Sequence, residues 1–376
     1  MPTNPAPNRR KNTAAPKWRK VLLSLMLDVL ITGVALVIFA YFHHVRPRAI
    51  PDDNIIVARP TRAVLAAPEA SATPGATQEA TPVASAAQTT PAAVTPTPFV
   101  YSPEMDEIGS FRVKYRDYFT DGAVESGRTE TDDYYYKSAN LNVTLTRTRP
   151  TVDGRTCTVY VTDFYISDIS CLRTGFAHDS FAKGEYEWLN GIALRQGAIT
   201  AINGDFASMR NYGIVVREGH VYRSSHSSFD ACAINWDGTM RTYVSKEWDG
   251  EKLIKDGAYI AWSFGPKLLD DEGKPLSKFN ATDAVLKPNP RTAIGYYEPG
   301  HYCFVVVDGR SEISRGFSMS ELSKFMSSLG CKQAYNLDGG ESSSLWWQGE
   351  IVSKPYEGGR KISDAVILGE PTEGLQ

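Results

Sequence analysis

The chain has 376 residues, a formal net charge of −3 at pH 7 and five cysteines. That charge, with no basic stripe in the globular part, argues against a nucleic-acid binder. The cysteines are few and odd in number for a disulfide scaffold. With no CxxC or HxxxH spacing and scattered histidines, they do not form a zinc pattern either.

Residues 1–20 are a basic tail containing Arg9, Arg10, Lys11, Lys17, Arg19 and Lys20. Residues 21–42 form an almost unbroken apolar run of 22. At about 1.5 Å per residue this run is long enough to cross a hydrocarbon core of about 30 Å. Its one charge, Asp28, lies within reach of the interface at the N-terminal end. Six basic residues precede the run and only Arg46 and Arg48 follow it closely, which predicts a cytoplasmic N-terminus and an external domain. The run exceeds the roughly 7–15 apolar residues of a cleaved signal peptide, so it reads as an uncleaved signal anchor. Residues 43–99 read as a disordered linker. Between 60 and 98, seven prolines are scattered among Ala, Thr and Ser with almost nothing to bury.

The folded part is expected over residues 100–370. Thr156–Ile166 is rich in β-branched and aromatic residues, as strands are. Ala198–Ile202 runs into Asn203-Gly204. Gly213–Val216 and His220–Arg223 bracket a turn at Glu218-Gly219, and Asp237-Gly238 joins two further strands into a hairpin. One helix is well marked: Ser318-Met-Ser-Glu321 is a capping box, Leu322, Phe325, Met326 and Leu329 follow at helical spacing, and Gly330 stops it. A second helix is placed over Glu187–Arg195. The sum is an α+β domain with a mixed or antiparallel sheet and few helices. At most two disulfides can form, and at least one thiol should be buried as a small hydrophobe.

Asp-Gly occurs seven times in the chain, and most of these pairs are turns, because both residues tolerate left-handed backbone. Two stand apart. Asp308 ends the apolar run Phe304-Val-Val-Val307 and leads to Arg310. Asp338 sits within Asn336-Leu-Asp-Gly-Gly-Glu-Ser-Ser-Ser344, more polar equipment than a turn requires. Asn203-Gly-Asp205 and Asn289-Pro-Arg291 repeat the pattern of a polar cluster at a strand end. Four such clusters in one domain suggest a shared polar cleft.

The ordered set Ala201-Ile-Asn-Gly-Asp-Phe206, Gly213-Ile-Val-Val216, Arg291-Thr-Ala-Ile-Gly295, Val306-Val-Asp-Gly-Arg310, Ser318-Met-Ser-Glu-Leu322 and Asn336-Leu-Asp-Gly-Gly-Glu-Ser-Ser343 resembles the phosphodiester glycosidase family. The resemblance covers about residues 157–369, ending with Arg360 and Ser363-Asp-Ala-Val366, and leaves out the anchor, the linker and residues 101–150. Two places depart from the family: Glu341 stands where a third Gly or small residue is common, and Ala207-Ser-Met-Arg210 replaces an aromatic or Gly-rich loop.

The resemblance implies hydrolysis of a sugar-1-phosphodiester, similar to N-acetylglucosamine-1-phosphodiester, in cell-envelope or exopolysaccharide glycans. The phosphate is a good leaving group whose charge needs clamping, for which Arg291 and Arg310 are the candidates. A carboxylate must activate water or attack carbon 1. Asp338 is the first candidate, Asp308 the second and Asp205 the third. Asn203 and Asn336 would hold sugar hydroxyls, with Gly204, Glu341 and Ser342 lining the substrate. The Gly339-Gly340 backbone would approach the phosphate. No cofactor is required. An Asp/Asn cluster offers oxygen ligands for Ca²⁺ or Mg²⁺, although no loop has EF-hand spacing.

Two other functions fit the same residues. A carbohydrate-binding or cell-envelope scaffold module would bind a glycan without cleaving it, with Trp346 or Trp347 stacking on sugar. A transferase or phosphodiesterase would act at phosphorus instead of carbon.

Overall fold

A computed structural model describes residues 26, 27, 29–34, 59 and 102–371. The chain divides into two compact units, residues 1–49 and 50–376. In the first unit, Met26, Leu27 and residues 29–34 are helical and exposed. The rest of the expected span 21–42 and the tail 1–20 lie outside the described residues, as does the linker apart from Arg59. Among the described residues no helix is long and apolar enough to cross a membrane.

Among the described residues, three large antiparallel sheets and a two-stranded ribbon, Thr151–Val152 with Arg155–Thr156, build the second unit. The largest has seven strands in the order Glu125–Arg128, Tyr134–Lys137, Leu141–Thr148, Val159–Ile166, His301–Val307, Arg291–Glu298 and Gln333–Asn336. A five-stranded sheet runs His220–Ser225, Gly213–Arg217, Ala258–Trp262, Ala231–Asn235 and Met240–Tyr243. The other five-stranded sheet runs Glu350–Ile351, Leu345–Trp347, Thr200–Asn203, Asp364–Leu368 and Leu172–Phe176. Each pairing is antiparallel, which settles the choice between mixed and antiparallel sheet.

Sequence dictates this layering. In His301–Val307, Tyr302, Phe304 and Val306 point into the main core, while Cys303, Val305 and Val307 point into a second core beneath the helix Met319–Ser328. A strand covered on both faces needs an unbroken apolar run instead of an alternating one. The helix is fixed by its capping box: Ser318 Oγ accepts from the Glu321 amide at 3.3 Å and Glu321 Oε2 accepts from the Ser318 amide at 2.8 Å. The second expected helix forms as Leu189–Arg195 and covers a smaller core.

Three expectations change. The strand predicted over Thr156–Ile166 begins at Val159, because the Cys157 amide donates to the Pro150 carbonyl and the Thr158 amide to Ser314 Oγ instead of to a ladder. Arg59, assigned to the linker, is held against the domain, its Nε on the Ile108 carbonyl at 2.6 Å and its Nη2 on Asp168 Oδ2 at 2.8 Å. Trp346 and Trp347 are only 2% and 3% exposed, so neither offers a sugar-stacking face. All five thiols are free and buried, with Cys303 and Cys331 Sγ 3.7 Å apart.

Candidate active site

The registers gather the polar strand ends on one side of the domain. Arg291 is opposite Val307, Asn336 opposite Ala293, and Asn203 opposite Ala365. Asp308 follows Val307 directly, and Asp364 precedes Ala365. Asn203 joins two sheets here. Its Nδ2 donates to the Asp338 carbonyl at 2.7 Å, and its Oδ1 accepts from Thr292 Oγ1 at 2.7 Å and the Ser344 amide at 3.2 Å. The Gly204 carbonyl accepts from the Asp338 amide at 3.1 Å. A Cβ on Gly204 would lie 2.1 Å from Asp364 Oδ2, so only glycine lets that carboxylate approach the backbone.

Asp338 is the best-supported carboxylate of the group. Its Oδ1 accepts from the Gly339 amide at 3.0 Å, and its Oδ2 accepts from Ser342 Oγ at 2.5 Å and Arg360 Nη2 at 2.7 Å. Arg360 Nε donates to Ser342 Oγ at 2.6 Å, closing a triangle of three side chains. The Asp338 side chain keeps 14% of its surface exposed and Arg360 keeps 40%. The short helical turn Gly340–Ser342 makes this possible by returning Ser342 to the carboxylate. Gly340 starts that turn at φ +65°, backbone that glycine adopts freely. Glu341 is exposed on the same turn.

Arg310 approaches the turn from the other side. Its Nη2 would lie 3.2 Å from a Cβ on Gly340. Its Nε and Nη2 donate to Asn289 Oδ1 at 3.1 and 2.9 Å, and its guanidinium lies over the Tyr356 ring at 5.2 Å. Arg310 is exposed and held at φ +56°, a costly conformation that over-determined surroundings maintain. Two guanidiniums thus flank the Gly339-Gly340 turn, and Arg360 touches the carboxylate.

Asp308 is 4% exposed. It accepts from Tyr160 Oη at 3.2 Å and from the Lys354 amide at 2.9 Å. Burial pushes its carboxyl up to about 6, against the pull of those two donors. Asp205 is fully buried and belongs to an ion cluster: Arg217 Nη2 is 3.1 Å from Asp205 and 3.2 Å from Asp364, and Arg210 Nη2 is 3.3 Å from Asp205. Burial, then the neighbouring Asp364 charge, raises the Asp205 carboxyl above its ordinary range.

Arg291, expected on phosphate, instead donates to the carbonyls of Phe317, Val285 and Lys287 at 2.8, 2.5 and 2.6 Å. Burial pulls its guanidinium down to about 10. Two of these carbonyls have a second donor, Phe317 from the Asn289 amide at 3.0 Å and Lys287 from Asn289 Nδ2 at 3.0 Å, so the guanidinium ties the segment before its strand to the Phe317 loop. Asn336 is similarly occupied at Nδ2, which donates to the Gly265 and Leu337 carbonyls at 2.8 Å each. Its buried Oδ1 has no partner among the described residues. Among those residues no group of three or more His, Cys, Asp or Glu is placed to hold a metal ion.

Sequence reasoning quoted Arg360, Phe206 and Asp364 within the family motifs without giving them a role, and did not single out Arg217 or Tyr160. Phe206 stands at φ +63°, its amide donates to Asp364 Oδ1 at 3.1 Å, and its ring lies 5.3 Å from the Arg360 guanidinium. Ser363-Asp364 opens an apolar strand, the same strand-end signature that marks Asp308. Arg360 follows Gly358-Gly359, a flexible pair like the one beside Asp338.

Residues 196–368 match the model of the phosphodiester glycosidase family. Over these residues the chain is similar to the phosphodiester glycosidase family, in line with the resemblance carried by the ordered motifs. It is 30% identical over 201 residues to the SPbeta prophage-derived uncharacterized protein YomE of Bacillus subtilis (strain 168), covering 51% of this chain and 31% of that protein. It is 30% identical over 206 residues to the N-acetylglucosamine-1-phosphodiester alpha-N-acetylglucosaminidase of Bos taurus, covering 48% of this chain and 38% of the bovine one. The chain thus spans well under half the length of these curated relatives. The catalytic domain of the zebrafish enzyme of that name, solved auto-inhibited by its pro-peptide, aligns with a TM-score of 0.51 at 18% identity over 66% of this chain and 88% of that one. A hypothetical protein from Synechocystis aligns with a TM-score of 0.50 at 14% identity over 65% of this chain and 63% of that one. At these identities the structural likenesses speak for the fold alone.

Proposed function

We propose that this protein hydrolyses sugar-1-phosphodiesters, breaking the bond between the anomeric carbon and the phosphate oxygen. Water supplies a hydroxyl to carbon 1, and the phosphate leaves as a phosphomonoester. The observation that carries this reading is a solvent-reaching carboxylate, Asp338, locked by Ser342 and Arg360 beside a glycine turn that a second guanidinium, Arg310, also meets. Asp338 attacks carbon 1 or activates the water, while Arg310 and Arg360 hold the phosphate oxygens. Asp308 carries a proton at mildly acidic pH and is the candidate acid. N-acetylglucosamine-1-phosphodiester is the proposed type of substrate, by analogy with the named relatives. The proposed setting is a cell-envelope or exopolysaccharide glycan, with residues 21–42 as membrane anchor and the domain outside the cell.

The test incubates the full chain in detergent with an α-N-acetylglucosamine-1-phosphodiester in ¹⁸O water. Free sugar carrying the label, with unlabelled phosphomonoester, is the expected result. Asp338→Asn should lower sugar release by roughly a thousandfold or more while the protein still melts cooperatively. Label in the phosphate would reassign the reaction to phosphorus. Glycan binding without any product would make the domain a binding module.

A further inference from the structure

A cavity of about 570 Å³ lies behind the Asp308 loop, lined by Arg149, Arg155, Thr156, Ser311 and Arg315, with Glu312 as its one carboxylate. The loop itself connects it to the proposed site. Ser314 Oγ donates to the Asp308 carbonyl at 2.6 Å, the Ser311 amide donates to the Ser314 carbonyl at 3.0 Å, and the Arg315 amide donates to the Thr156 carbonyl at 3.4 Å. One short segment therefore presents Asp308 and Arg310 to the site and Ser311 and Arg315 to the cavity. The strand Leu141–Thr148 adds to the charge, placing Arg147 directly opposite Tyr160, whose hydroxyl binds Asp308.

The cavity's arginines are unequally committed. Arg315 pairs with Glu321 and lies 3.8 Å from the exposed Asp153, yet its buried Nε has no partner among the described residues. Arg149 and Arg155 are exposed and make no ion pair among the described residues. Both precede residue 196, where the family match begins, so they belong to the part of this chain outside that match. A polar cavity with two uncommitted guanidiniums fits an anion with several acceptor oxygens, because each fork binds such oxygens in pairs.

We propose that this cavity binds a second phosphodiester of the same substrate, so that the enzyme acts on a polyanionic sugar-phosphate chain in preference to an isolated diester. The inference rests on the sugar-phosphodiester reading of the Asp338 site. Arg149 and Arg155 are the specificity-determining residues, and they lie away from the reacting carbon.

The experiment compares the full chain with its Arg149→Gln/Arg155→Gln variant on two synthetic substrates, one with a single sugar-1-phosphodiester and one with two in series. The variant should leave kcat/KM on the single diester unchanged and lower it about tenfold or more on the double one, mainly through KM. The wild-type advantage on the double diester should also fall as salt is raised, more steeply than in the variant. An equal effect on both substrates, or none on either, overturns the proposal. Calorimetric binding of the double diester is measured in parallel, in the Asp338→Asn background. Loss of affinity there on adding the two glutamines supports the cavity even if no turnover is found, whereas unchanged affinity refutes it. Failure of catalysis alone counts against the reaction, not the cavity.

Discussion

Arg360 and Arg291 show how two arginines of similar sequence appearance do different work. Arg360 uses separate nitrogens on Asp338 and Ser342 and keeps 40% of its surface exposed. Lysine cannot reproduce that fork with one ammonium. Arg360→Gln should lower kcat/KM for sugar release by about a hundredfold or more, and Arg360→Lys should recover only part of it. Melting temperature should barely move in either. Arg291→Gln should do the reverse, costing about 2–4 kcal/mol by removing three charge-assisted hydrogen bonds from a buried position. The fraction that stays folded should retain its kcat. Steady-state kinetics beside thermal melts separates the two, and a catalytic defect in folded Arg291→Gln would return that residue to the phosphate.

The helix Met319–Ser328 gives the same kind of contrast among elements. Its capping box satisfies two amides that the first turn of the helix leaves without intrahelical partners, so Ser318→Ala should cost about 1 kcal/mol. A melt should show a fall of a few degrees with activity intact; no change would mean the cap is supplied elsewhere. This helix was legible because capping, periodicity and stop signal all lie within one stretch. The hairpin at Asp237-Gly238 was legible for the same local reason. Asp338 and Arg310 were visible as polar residues without a structural excuse, and the structure brings both to the Gly340 turn. The fate of Asn203 was not visible, because Thr292 reaches it from a strand far along the chain, and that of Arg291 was not visible because its guanidinium turns back onto the loop carbonyls of Val285 and Lys287 and across to Phe317. Arg360, noted only as part of the family resemblance, was given no role for a related reason: its partner, Asp338, is joined to it only through the packing of the 356–364 segment against the glycine turn.

At the scale of the whole domain, buried acids set the pH dependence of stability. Burial raises Asp308 to about 6 and the half-buried Glu218 to about 7, and Asp205 moves in the same direction. Between the ordinary carboxylate range and those values the folded chain holds protons that the unfolded chain has released. Stability from these groups is therefore complete below about pH 4 and is lost as pH rises through 6 to 7. Glu187, Glu298 and Glu321 have the opposite sign: arginine, backbone or tyrosine donors lower them despite burial, so their contribution is lost as pH falls below the usual carboxylate range. The two sets together place maximal stability near pH 4.5–5.5, with an increase of about 1–3 kcal/mol on going there from pH 7.5. The lower end of that range allows for solvent reaching Glu218. Melting temperature should rise by a few degrees over this interval and fall again below about pH 4. Glu218→Gln, which keeps the Thr174 amide bonded to a side-chain oxygen, should flatten the upper slope without abolishing it. A melting temperature that is flat or falls between pH 7.5 and 5 would mean that Asp308 and Glu218 are ionised in the folded protein. Asp308 would then no longer serve as the acid, and catalysis would rest on Asp338 and the two exposed guanidiniums.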